Sequence, residues 1–143
     1  MLYEVEIILK ILLSIALGSL VGVEREARGK PAGLKTHAII CLASTIFSII
    51  SINYFTKDYA RMISNVLTGM GFIGAGAIIA SGRKVVGITT ATTLWITTAI
   101  GIAVGIGFYF LAIISTITVL IILLVFREVE LEIFEKQKPK KQI

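Results

Sequence analysis

Residues 85–126 read VVGITTATTLWITTAIGIAVGIGFYFLAIISTITVLIILLVF, 42 positions without one charged side chain. A helix crossing the hydrocarbon core of a bilayer needs about 20 apolar residues, so this run is long enough for two crossings. Gly105-Ile106-Gly107, near its middle, gives the chain a place to reverse. A water-soluble domain of 143 residues could hardly hide such a segment. The chain reads as an integral membrane protein.

Composition agrees: 56% of the residues are hydrophobic, 16% are charged, and mean hydropathy is +0.92. The length allows one membrane domain and a short tail. Glu4 and Glu6 stand where a signal peptide would carry basic residues, and no small-residue cleavage site follows the first apolar run. That run is expected to be a retained span. The single Cys41 excludes an intramolecular disulfide. A net charge of +5 marks the cytoplasmic face of a membrane protein rather than a nucleic-acid surface, and no nucleic-acid partner is expected.

Working outward, five spans emerge: Glu6 to Val23, Thr36 to Thr56, Met62 to Gly82, Thr89 to Gly105 and Phe108 to Phe126. Lys10 lies close enough to the start of the first to snorkel, and Arg83 to Ile88 reads as a loop. In this topology eleven Lys and Arg fall on the side of the first loop and the tail, against Lys10, Lys57 and Arg61 on the other. The positive-inside rule then puts the N-terminus outside and the C-terminus in the cytoplasm. The predicted fold is an all-α, polytopic membrane helical bundle of five transmembrane helices. Residues 1–126 form its transmembrane domain and residues 127–143 a short charged cytoplasmic tail. In the tail, Glu128, Glu130 and Glu132 alternate with Val129, Leu131 and Ile133. That alternation has a strand period, but an isolated strand is unstable, so an extended last helix or a disordered tail are the alternatives. Its lysine cluster, Lys136 to Lys141, reads as a positive-inside anchor, with contact to anionic lipid as the alternative.

Gly69-Met70-Gly71-Phe72-Ile73-Gly74 matches the dinucleotide pattern GxGxxG. It lies inside a membrane span, however, without the strand, soluble helix and later acidic residue that the mechanism needs. Gly69, Gly71, Gly74 and Gly76 instead give the third span a small surface for close helix packing. Local opening of that helix to line a polar cavity is the second reading. Thr89, Thr93 and Thr97, with Thr90 and Thr92, lie within an arc of about 160° on the fourth helix. Gly101 and Gly105 continue near its edge. This stripe should face protein, as packing glue or as the lining of an ion path, with Trp95 anchoring the packing or lying deeper in the bundle.

Gly18 and Gly22 are a small-xxx-small pair suited to helix association. They lead into Glu24-Arg25-Glu26-Ala27-Arg28. Continued helical geometry turns Glu24 toward the bundle, able to pair with Arg28 or Lys35 or to bind a cation, whereas Glu26 reads as an ordinary interfacial ion-pair residue. The lone His37 is read as structural, with proton sensing the lesser alternative. Arg61 precedes Asn65 by four residues, and Asn65 should hydrogen-bond across helices. There is no phosphate loop, no nucleophile with a paired base and no Cys/His metal spacing. Nor does any acidic residue lie deep in a span, so a dehydrated Mg²⁺ cage and an enzymatic role are not expected.

These segments resemble the MgtC/SapB membrane proteins. Gly18-x-x-x-Gly22-x-Glu24-Arg25 and Ala32-Gly33-Leu34-Lys35-Thr36 are similar to that family's first-loop signature. Arg61 followed by the glycines from Gly69 to Gly76 is similar to its third span, and Gly87 to Trp95 and Ala99 to Gly107 to its fourth. The resemblance implies a five-span inner-membrane protein linked to adaptation to low Mg²⁺. In some members it also implies survival in host cells through contacts with other membrane proteins, the ATP synthase among them. Virulence-type members carry Asn where this chain has Thr89 and Cys where it has Ile96, and they add a soluble domain after the fifth span.

The expected function is therefore non-enzymatic regulation of Mg²⁺ homeostasis through contacts with other membrane proteins; the alternative is a channel or transporter for Mg²⁺ or another cation, and a third reading is binding of a lipid headgroup or polymer precursor by the basic loop. Glu24, Arg25, Arg28, Lys35 and Thr36, with Arg61 and Asn65, form the expected polar set. Gly18, Gly22, Gly101 and Gly105 are the expected association surfaces, and Glu24 is the one candidate metal ligand. No cofactor is expected, and Mg²⁺ enters as regulator or substrate. The expected partners are the lipid bilayer, a second copy of the chain (a dimer first of all) and other membrane proteins.

Overall fold

A computed structural model describes residues 2–55, 57–81 and 84–136, with side chains described outside 79–84 and 128–136. Among the described residues five helices carry the fold: α1 (Leu2–Ala27), α2 (Leu34–Tyr54), α3 (Tyr59–Gly76), α4 (Ile88–Ile106) and α5 (Tyr109–Lys136). Four of them, α1, α2, α4 and the first part of α5, are long and apolar enough to cross a membrane. Helix α3 has only 18 residues, and Arg61, Ser64 and Asn65 dilute its apolar content.

Two expected boundaries change. The third span was expected to continue to Gly82, but α3 stops at Gly76. Gly69, Gly71, Gly74 and Gly76 weaken its last turns, because glycine costs a helix about 1 kcal/mol relative to alanine. The chain then forms a short antiparallel hairpin, β1 (Ile79–Ser81) and β2 (Lys84–Val86), where a span end and a loop were expected. In the last element, helix α5 continues through Arg127 to Lys136, so the alternating segment 128–133 is helical. Thr56, Gly82, Arg83 and the rest of the lysine cluster, in 137–143, lie outside the described residues.

Helix ends follow local chemistry. After α1, the Lys30 N–H donates to the Arg25 carbonyl at 3.0 Å and Gly29 N–H to Glu26 O at 2.9 Å, a Schellman closure. The same pattern ends α4, where Gly107 has φ +90° and Phe108 N–H donates to Ala103 O at 2.8 Å. Gly107 therefore makes the reversal that the long uncharged run requires.

Helix α2 sits between α1 and α4 and forms the centre of the bundle. One core cluster gathers Leu17, Cys41, Ile100, Ala103, Val104 and Ala112. Around it α2 buries Ser44, Thr45, Ser48 and Ser51, small polar residues that let backbones approach. The outward surfaces of α1 and α5 are rich in exposed Leu, Ile, Val and Phe, the arrangement that lipid contact demands.

Candidate functional site

The glycines of α1 and α4 are filled from within the chain. A Cβ added to Gly18 would lie 2.7 Å from Cys41 Cβ, and one added to Gly22 would lie 2.6 Å from Leu34 Cα. At Gly101 and Gly105 the nearest atoms are Cys41 O at 2.3 Å and Ser48 Cβ at 2.5 Å. All four glycines seat α2, so the faces expected to associate with another copy are already occupied. Gly74 rests against Ala91 of α4, whereas Gly69, Gly71 and Gly76 have nothing within 4 Å.

The threonine stripe divides. Thr90, Thr93, Thr97 and Thr98 are buried, while Thr89 and Thr92 are exposed. The hydroxyls of Thr92, Thr93, Thr97 and Thr98 donate to carbonyls of their own helix at 2.8–3.1 Å. Such back-bonding satisfies each hydroxyl locally. Trp95 is half exposed on the outer surface of α4, away from the buried stripe, because its position falls on the opposite side of the helix.

Two polar links tie α2 to α4. Thr45 Oγ1 donates to Gly101 O at 2.8 Å. Buried His37 contacts Gly33 O through Nδ1 at 3.0 Å and the Thr93 hydroxyl through Nε2 at 3.3 Å. The serines and Thr45 of α2 form no recognised motif; their only signal in the sequence is the helical spacing of Ser44, Ser48 and Ser51.

At the basic end of α1, Glu24 and Arg25 are drawn into the protein. Glu24 Oε1 accepts from Arg28 Nε at 3.1 Å, and its Oε2 lies 3.5 Å from Arg25 Nη1. Glu24 Oε2 and Arg25 Nε and Nη2 are buried with no hydrogen-bond partner. Leaving a buried polar group unsatisfied costs about 1–3 kcal/mol, more when it is charged. Two guanidiniums crowd this carboxylate, so their charge opposes a divalent cation at Glu24. A cavity of about 750 Å³ opens here, lined by Glu24, Arg25, Arg28, Lys30, Thr89 and Arg127 together with apolar residues of α5.

Glu26 does something other than the ion pairing expected of it. Its Oε2 accepts from the Leu34 N–H at 2.7 Å, capping the start of α2 where free donors and the helix dipole favour a carboxylate. Lys35 is exposed, and Thr36 is half-buried beyond that cap. Arg61 and Asn65 do not join this cluster. Arg61 pairs with Asp58 at the other end of the bundle, and Asn65 is exposed on α3 beside Met62 in a shallow pocket.

A bundle of apolar helices with a buried polar cluster at one end defines a multi-pass membrane protein. The chain belongs to the MgtC family, which it matches over residues 11–131. It is 39% identical over 139 residues to "Putative magnesium transporter YhiD" of Escherichia coli K12, covering 91% of this chain and 64% of that protein. An uncharacterized protein of Haemophilus influenzae is 40% identical over 119 residues, 76% of this chain and 50% of its own length. Protein MgtC of Salmonella typhimurium is 35% identical over 121 residues, 85% of this chain and 52% of its own. The chain thus spans between half and two thirds of these curated relatives. No solved structure matches it. Family and helices together place it in the prokaryotic cytoplasmic membrane as a multi-pass protein.

Proposed function

We propose that the chain is a non-enzymatic regulator in Mg²⁺ homeostasis that acts by helix contact with other membrane proteins, its own copies included. One exposed face of α3, bordering a cavity against Ile40, Ala43 and Phe47 of α2, carries this reading. Asn65, Gly69 and Gly76 fall within about 40° of one another on a helical wheel, and all three are exposed. Thr68, about 60° to one side of Asn65 on the same wheel, is also exposed. A polar amide and bare glycines facing hydrocarbon gain little from lipid, whereas against another helix they supply a hydrogen bond and close approach. The internal glycines and buried threonines, by contrast, are already engaged within the chain.

Gly69→Leu with Gly76→Leu tests the face directly, since a Cβ added at either position has nothing within 4 Å. The double variant is expected to fold and insert normally yet fail to support growth at low Mg²⁺. Normal growth would refute the contact role. The transporter reading is tested by Mg²⁺ entry into sealed liposomes. No entry is expected; entry abolished by Thr93→Val or Glu24→Gln would make the protein a conduit.

A further inference from the structure

We propose that the cavity at the basic end of α1 binds the phosphate of an anionic phospholipid headgroup. Arg25 is the centre of the site: it is only 4% exposed, lines the cavity, and leaves Nε and Nη2 without partners. A guanidinium presents its N–H donors in a planar fork that matches two oxygens of a phosphate. Glu24 approaches only Nη1, at 3.5 Å, and is itself held by Arg28 at 3.1 Å. One carboxylate between two guanidiniums leaves a net positive charge. Lys30 beyond α1 and Arg127 on α5 bring two further cations to the same cavity.

The opposite wall selects the source of the phosphate. Ile122, Leu123 and Phe126 of α5 line the cavity, a surface from which inorganic phosphate gains nothing but along which an acyl chain can lie. The level in the membrane agrees: α5 stays uncharged through Phe126 and meets its first cation at Arg127. The cavity therefore straddles the boundary between hydrocarbon and headgroups. A volume of about 750 Å³ accommodates a glycerophosphate group with the first part of a chain.

The test measures thermal unfolding of the full chain in neutral detergent with added phosphatidylglycerol, phosphatidylcholine or inorganic phosphate. Phosphatidylglycerol is expected to raise the midpoint, and the other two are not. Arg25→Gln should abolish the shift. Lys30→Gln and Arg127→Gln should each raise the half-maximal lipid concentration roughly fivefold, the effect of one basic residue near a headgroup. Both residues are exposed, so these variants decide the matter even if Arg25→Gln does not fold. Lys35→Gln removes an exposed cation outside the cavity and should change nothing. Equal shifts with phosphatidylglycerol and phosphatidylcholine would overturn the proposal. So would a matching shift with inorganic phosphate, or a loss in Lys35→Gln equal to that in Lys30→Gln and Arg127→Gln.

Discussion

At Gly22 the nearest atom to an added Cβ is the Leu34 Cα at 2.6 Å, whereas at Gly69 nothing lies within 4 Å. Two glycines that look alike in the sequence therefore make opposite predictions. Gly22→Ala should destabilise the detergent-solubilised protein by about 1–3 kcal/mol, the usual result of forcing a methyl group into a packed contact. Gly69→Ala should be neutral or stabilise by up to about 1 kcal/mol, since it only improves helix propensity. Equal effects in denaturant melts would contradict the packing described here. Gly87 is stricter still, because its φ of +93° suits glycine and its Cβ would fall 1.9 Å from Ala77 O. Gly87→Ala should disrupt the junction between the hairpin and α4, seen as a lower melting temperature and faster proteolysis near that turn.

At the scale of the element, α2 is organised by its neighbours. Its first N–H is capped by Glu26 from α1 at 2.7 Å, and Thr45 reaches Gly101 of α4 at 2.8 Å. Glu26→Ala should cost about 0.5–2 kcal/mol, by analogy with the loss of a helix cap. Thr45→Val should cost about 0.6 kcal/mol and at most about 1.7, the range found for hydrogen bonds between membrane helices. Both are readable as shifts in unfolding midpoint, and an unchanged midpoint in either variant would contradict the role given to that hydrogen bond. Helix α3 differs from α2: its outward glycines leave it less enclosed, consistent with a surface kept for contact outside the chain.

For the whole molecule, the charge distribution makes a topological prediction. In a Cys41→Ala background, Lys35→Cys should be protected in intact cells from a membrane-impermeant maleimide, and Lys57→Cys should be labelled. The reverse pattern would invert the orientation argued from the eleven basic residues on one side.

The uncharged run and the placement of Lys and Arg determined by themselves that the chain enters a membrane and where most of its helices lie. Hydrophobic length and charge are local properties, and a bilayer acts on them directly. The involvement of Glu24, Arg25 and Arg28 in one cluster was also legible, because residues one and four apart on a helix are neighbours before any tertiary contact forms. Other features depended on which helix packs against which. Glycine spacing marks a surface fit for close approach but does not name its occupant, and only the packed bundle shows α2 on Gly18, Gly22, Gly101 and Gly105 while Gly69 and Gly76 remain open. Likewise, Arg127 is far from Arg25 in the sequence, and folding alone brings both to one cavity. Contacts between distant segments arise from the summed fit of whole helix faces, which no short motif encodes.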